Sequence, residues 1–212
     1  MTVGIVHLRK GSFDLAIQAL ERAYQLSGQA DLRMARVTVA GYLGRAYTLT
    51  NRASRGIETL NEAVDAAAGM ELMVDQAMRL VHLSEAYLHN NQVKQATSIA
   101  NLALEKALHY HQRGAVAWCH WLLGEVNAQA DHLGAAENYY SQAMALASEL
   151  GMPPLLAHCH FGLGKGHSRA GRNEQSQKHL VAAAGMYRTL SMPSCVAETE
   201  LTQQRPQVTQ QS

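Results

Sequence analysis

The amino-acid sequence predicts an all-α protein, a right-handed α–α superhelix of about five 40-residue helical hairpins closed by a C-terminal capping helix. Three observations predict it. The small residues Gly4, Gly44, Ser84, Gly124 and Gly164 stand 40 positions apart. Each is followed 12 positions later by a second small residue (Ala16, Gly56, Ala96, Ala136, Ser176), and 7 further on by an alanine in all five copies (Ala23, Ala63, Ala103, Ala143, Ala183). Aromatics make up only 6% of the chain, while the small residues and strong helix formers that suit closely packed helices are abundant. A hairpin of this length cannot bury its apolar face alone, so copies stack on their neighbours.

Each repeat reads as two antiparallel helices, A and B, joined by a short polar turn such as Arg9-Lys10-Gly11-Ser12 or Ala170-Gly171-Arg172-Asn173. The small residue in A faces the small residue early in B, and the alanine column seats B against the next A helix. Leu43, Leu83, Leu123 and Leu163, with the column Leu20, Leu60, Ala100, Tyr140 and Leu180, fill the space around that contact. The A helices are expected near 1–9, 31–50, 71–90, 112–130 and 154–170. The B helices are expected near 13–27, 53–68, 93–110, 133–150 and 173–190. The repeats therefore fall near 1–30, 31–70, 71–111, 112–152 and 153–192 of a domain covering 1–204. The capping helix takes 193–204, and the Gln-rich tail 205–212 reads as disordered. Pro153, Pro154 and Pro193 fall at hairpin junctions.

Leu43-Gly44-Arg45-Ala46-Tyr47, Leu123-Gly124-Glu125-Val126-Asn127 and Leu163-Gly164-Lys165-Gly166-His167, with the variant Leu83-Ser84-Glu85-Ala86-Tyr87, carry a family likeness. With the small-residue columns they resemble the tetratricopeptide repeat over roughly residues 1–190. The period departs from the family's usual 34, which implies helices longer by about a turn. The family's closing proline is also missing from its usual place. Between Ala117 and Ala197, phrases such as WLLGEVNAQ and HLVAAAGMYRTLSM look like the C-terminal repeat region of large bacterial signalling proteins. In those proteins a class III nucleotide cyclase or kinase-like output domain and a signalling ATPase precede the repeats. No cyclase or ATPase residues are present in this chain to carry over.

Composition narrows the function classes. A formal charge of +1 gives no field to attract nucleic acid or an acidic membrane. No run of five or six like charges occurs, and no apolar stretch approaches the length of a membrane span. Neither nucleic acid nor membrane is an expected partner. Cys119, Cys159 and Cys195, odd in number and in helical contexts, read as reduced thiols of a cytoplasmic protein.

Two motifs suggest chemistry and fall short of it. Gly162-Leu163-Gly164-Lys165-Gly166 has the look of a phosphate loop, but Gly166 stands where Ser or Thr is needed and no strand precedes it. His158-Cys159-His160, with Cys119-His120 one repeat earlier, suggests a metal site. Residues two apart on a helix point about 200° apart, so His158 and His160 cannot chelate together. No nucleophile–base–orienter set is visible. The expectation is a non-enzyme without metal or cofactor.

In tetratricopeptide arrays the A helices line the concave face. Carried over by register, the resemblance makes Arg45, Met78, Glu85, His89, Trp118, Trp121, Glu125, Gln129, His158, Phe161, Lys165 and Arg169 the candidate groove residues. Both tryptophans and one of two phenylalanines fall in this set, and aromatics ringed by charge are common in binding hot spots. The alternative for Trp118 or Trp121 is packing between repeats. The expected function is a protein–protein interaction scaffold that holds a peptide or helix of a partner, as the sensor arm of a bacterial signalling protein. A small-molecule sensor built on the aromatic patch is the second reading. The first A helix is short, and helix B beside it carries Phe13, Leu15, Ile17, Leu20 and Tyr24. That end is expected to self-associate or to adjoin an upstream domain.

Overall fold

The computed structural model describes residues 1–72 and 75–204, and the expected disordered tail lies outside the described residues. Eleven helices and no strand occur among them. The first unit, Met1–His111, contains α1 (Thr2–Arg9), α2 (Phe13–Gln29), α3 (Arg33–Thr48), α4 (Ala53–Gly69), α5 (Gln76–His89) and α6 (Val93–His109). The second, Gln112–Ser212, contains α7 (Arg113–Gln129), α8 (Leu133–Glu149), α9 (Pro153–Arg169), α10 (Asn173–Thr189) and α11 (Pro193–Gln204). Within each unit consecutive helices pack as neighbours, and the A helices also touch, α3 against α5 and α7 against α9.

The junctions repeat twice as often as the hairpins. Gly11, Asp31, Asn51, Glu71, Asn91, His111, Asp131, Gly151, Gly171 and Ser191 all have positive φ, one every 20 residues. A left-handed residue just past a helix lets the following N–H reach back and satisfy a last-turn carbonyl. Gln92 N–H donates to Tyr87 O at 2.9 Å, Met152 N–H to Ala147 O at 2.8 Å and Arg172 N–H to His167 O at 2.9 Å. The 40-residue period arises because B helices and later A helices alike run 17 residues and are followed by similar short links. Pro153 and Pro193 open α9 and α11 rather than lying in the turns, since the first helical N–H has no partner to lose. Helix α5 starts five residues later than expected: Asp75, at φ 56°, is left-handed and cannot belong to the helix.

The small-residue columns do what their spacing requires. A Cβ on Gly56 would lie 2.8 Å from the Gly44 carbonyl, so these two backbones touch directly. Where the columns hold serine, the hydroxyl stitches A to B. Ser84 Oγ donates to Ala96 O at 2.7 Å, and Ser176 Oγ to Gly164 O at 2.9 Å. Ala63, Ala103, Ala143 and Ala183 are buried, and Ala23 packs half-buried against the core formed by Leu8, Leu20, Leu43 and Tyr47. In the second unit Met192, Cys195 and Val196 lay the start of α11 over Tyr187 and its neighbours on α10.

Candidate binding surface

The column one place after the small A-helix residue holds Arg45, Glu85, Glu125 and Lys165. In the first unit Arg45 Nε donates to Glu85 Oε2 at 2.9 Å, tying α3 to α5. Burial alone would raise the Glu85 carboxyl, but Arg45, His82 and His89 outweigh it and hold it below the usual carboxylate range. Two further polar side chains line the same face of α5. Arg79, 4% exposed, donates to the Leu72 carbonyl at 3.0 Å, and burial lowers its pKa. His82 is pushed down to about 3, first by burial and then by Arg45. The seam between α3 and α5 is thus polar. Met78 borders it half-buried, and His89 is exposed at the end of α5.

The second unit fills the equivalent seam with rings. Trp118 and Trp121 meet edge to face with centroids 5.5 Å apart, and His158 lies within 5.9 Å of both. Tyr187 Oη and His158 Nδ1 hydrogen-bond at 2.7 Å. Trp121 and Phe161 are each only 8% exposed, whereas Trp118 and His158 remain half-buried. Trp121 Nε1 is buried without an acceptor among the described residues. Glu125 accepts from Tyr140 Oη at 2.7 Å and from Lys165 Nζ at 3.1 Å, and Lys165 sits 4.7 Å over the Phe161 ring. Arg169 donates to the Ala128 carbonyl at 2.6 Å and to Asp131, while Gln129 is exposed. Glu125, Lys165 and Arg169 therefore clasp α7 to α9.

The glycine-rich run owes its form to packing. A Cβ on Gly162 would lie 2.5 Å from Tyr140 Cζ, and one on Gly124 2.6 Å from Tyr140 Cε1. Both glycines make room for the Tyr140 ring. Gly164 clears Leu180 in the same way, and only Gly166 faces open space. His158 and His160 turn apart as helix geometry demands: His160 Nδ1 meets His179 Nδ1 at 2.9 Å on α10. His167 lies beside His179, with ring centroids 5.3 Å apart. Burial, then His160 and His167, push His179 down to about 4. This trio went unseen in the sequence because His179 lies on a B helix, outside the A-helix register. Among the described residues, no group of three or more His, Cys, Asp or Glu side chains is arranged to hold a metal ion. Burial pushes the Cys119 and Cys159 thiols up to about 12, which leaves them protonated at neutral pH. No described helix is long and apolar enough to cross a membrane.

No protein-family model and no curated protein matches this sequence. Solved structures do. A Rap protein complexed with competence and sporulation factor superposes with a TM-score of 0.82 at 14% identity, over 94% of this chain and 56% of that protein. The Rap conjugation gene regulator of plasmid pLS20, in complex with the Phr* peptide, gives 0.80 at 17% identity, over 97% of this chain and 58% of that one. A signal transduction ATPase with numerous domains from Pyrococcus horikoshii, bearing a tetratricopeptide repeat sensor, gives 0.66 at 14% identity, over 95% of this chain and 31% of its own. The fold is tetratricopeptide-like. This tetratricopeptide-like chain spans little more than half the length of the Rap proteins it matches.

Proposed function

We propose that this chain is a non-catalytic scaffold that holds a peptide or helix of a protein partner on its A-helix face. The observation that carries the reading is the cluster of Trp118, Trp121, His158 and Phe161 on α7 and α9, with Trp118 and His158 still reached by solvent. Rings that are rigid, partly exposed and flanked by charge are the usual anchors of protein interfaces. Glu125, Gln129, Lys165 and Arg169 form the polar border of this surface, and Arg45, Met78, Glu85 and His89 are the matching positions of the first unit. The complex of a protein of like fold with the Phr* peptide supports the same mode of use.

The finer reading is a regulatory arm of a bacterial signalling protein. The fold shared with the repeat sensor of a signal transduction ATPase supports it. Its test is the reading frame around this sequence, where an in-frame ATPase or cyclase domain is expected and an unrelated neighbour would count against it.

Binding is tested by panning a displayed peptide library on the full chain. Peptides selected on the wild type should bind Trp118→Ala weaker by about 2 kcal/mol, the scale of an interface hot spot, with helical content unchanged. A library that yields no binder, or peptides indifferent to Trp118, would overturn the proposal.

A further inference from the structure

A cavity of about 420 Å³ opens in the first unit, where the turn between α3 and α4 meets the end of α5. Asn51, Arg52, Ser54, Arg55, His89 and Asn90 line it. Every one of these side chains can donate a hydrogen bond, two are fixed cations, and no carboxylate is present in the lining.

The wall is held in place from behind. Arg55 lies with its guanidinium carbon 4.3 Å above the Tyr47 ring and its Nη2 3.5 Å from Glu21 Oε1. Glu21 in turn accepts from Tyr47 Oη at 2.5 Å, and burial followed by this bond raises the tyrosine to about 12. Glu21 thus anchors Arg55 from α2 without entering the cavity. The turn itself is set by Asn51 at φ 58° and by the Arg52 N–H bond to Tyr47 O at 3.0 Å. Arg52, exposed at the mouth, has no carboxylate partner among the described residues. Arg172 stands at the corresponding place in the fifth repeat, and there Glu137 takes it up.

Nothing in the repeat requires this charge. The positions equivalent to Arg52 and Arg55 are Ser12 and Leu15, Gln92 and Gln95, His132 and Ala135, and Arg172 and Gln175 in the other copies. All of those turns form the same left-handed junction. Arginine is a strong partner for planar or tetrahedral oxyanions because its N–H groups form a fork that meets two oxygens at once.

We propose that this cavity is a binding site for an oxyanion, a carboxylate or phosphate, borne by a free anion or by an acidic protein segment. Arg52 and Arg55 grip the anionic head, and Asn51, Ser54, His89 and Asn90 take its remaining lone pairs. The site is independent of the peptide surface on the second unit.

Calorimetry on the full chain at low salt, with sodium phosphate, glutarate, and a six-residue peptide bearing two glutamates, tests the proposal. At least one probe should bind, with the affinity falling as salt is added, and the glutamine version of the peptide should not. Amide shifts on binding should centre on residues 51–55 and 89–90 of the wild type. Arg52→Gln should weaken binding about 10-fold or more, the loss expected for a charge-assisted pair, at an unchanged melting temperature. Arg33→Gln, at an exposed pair with Asp31, should leave it intact. Binding of phosphate or glutarate identifies a free anion as the ligand, and binding of the acidic peptide alone identifies a protein segment. If none of the three probes binds, if the shifts centre elsewhere, or if Arg52→Gln binds as the wild type does, the site is not there.

Discussion

The seam between α3 and α5 and the seam between α7 and α9 are built on one register and filled with opposite chemistry. Both are set by a small residue in A facing a small residue in B, and both have an ion pair one place after it. In the first unit the buried Arg79 and His82 stand beside Gly41, Val39 and Val81, so the seam carries buried polar groups that backbone and side chains must satisfy. In the second the seam holds Trp121, Cys159, Phe161 and Gly162, so it is apolar and shaped around one tyrosine ring. The columns specify that helices stack; the residues between them decide what each seam can bind or tolerate.

The largest expected effect separates the two ion pairs. Glu85→Gln should cost about 3 kcal/mol, because it removes the carboxylate of an ion pair whose side chains are only 20% and 7% exposed. Glu125→Gln should cost about 1 kcal/mol, since Lys165 is 39% exposed and Tyr140 keeps an oxygen to donate to. Urea unfolding of the two variants measures both, and equal losses would mean that the seams do not differ in burial of charge.

Glycine substitution probes shape. Gly162→Ala drives a methyl into the Tyr140 ring and should cost about 2 kcal/mol. Gly41→Ala on α3 meets only the Arg79 side chain at 3.4 Å, and should be neutral or stabilise by about 0.5 kcal/mol through lower unfolded-chain entropy. A tolerated Gly162→Ala would show that the aromatic seam is looser than its geometry indicates.

Acid should weaken the polar seam through His82. Its folded pKa, about 3, lies below the ordinary histidine value, so the unfolded chain takes up the proton first. Stability is full above about pH 6.5 and falls as pH drops from there toward 3, with about 1 kcal/mol lost by pH 5.5. In the second unit His160, His167 and His179 are all lowered, mainly by burial, and act in the same direction. Melting curves of the wild type, His82→Gln and His179→Gln between pH 7.5 and 5.5 apportion the loss. A slope unchanged in His82→Gln would remove the polar seam from the account.

The helical hairpins were legible because they rest on periodic, local constraints. A small residue every 40 positions, a second 12 later and an alanine 7 beyond that leave only stacked helix pairs as a way to bury them. The helices fall within a few residues of the expected spans, apart from the late start of α5. Register also placed the candidate residues on A helices, since position along a repeat determines which helix a residue joins.

Register could not say how side chains on those helices would be used. Trp121 and Trp118 are three residues apart and equivalent by pattern, yet only Trp118 keeps substantial contact with water. Glu125 and Lys165 look like two free charges in the sequence, and only the distance between α7 and α9 makes them a pair. Gly162 lies outside the repeat columns, and only the structure shows that the Tyr140 ring, 22 residues earlier, needs its space. The sequence by itself determined the hairpins, because those constraints act between residues of known spacing. Only the tertiary structure decided which polar groups are matched and which face a cavity, because those depend on side chains that meet across helices from different repeats.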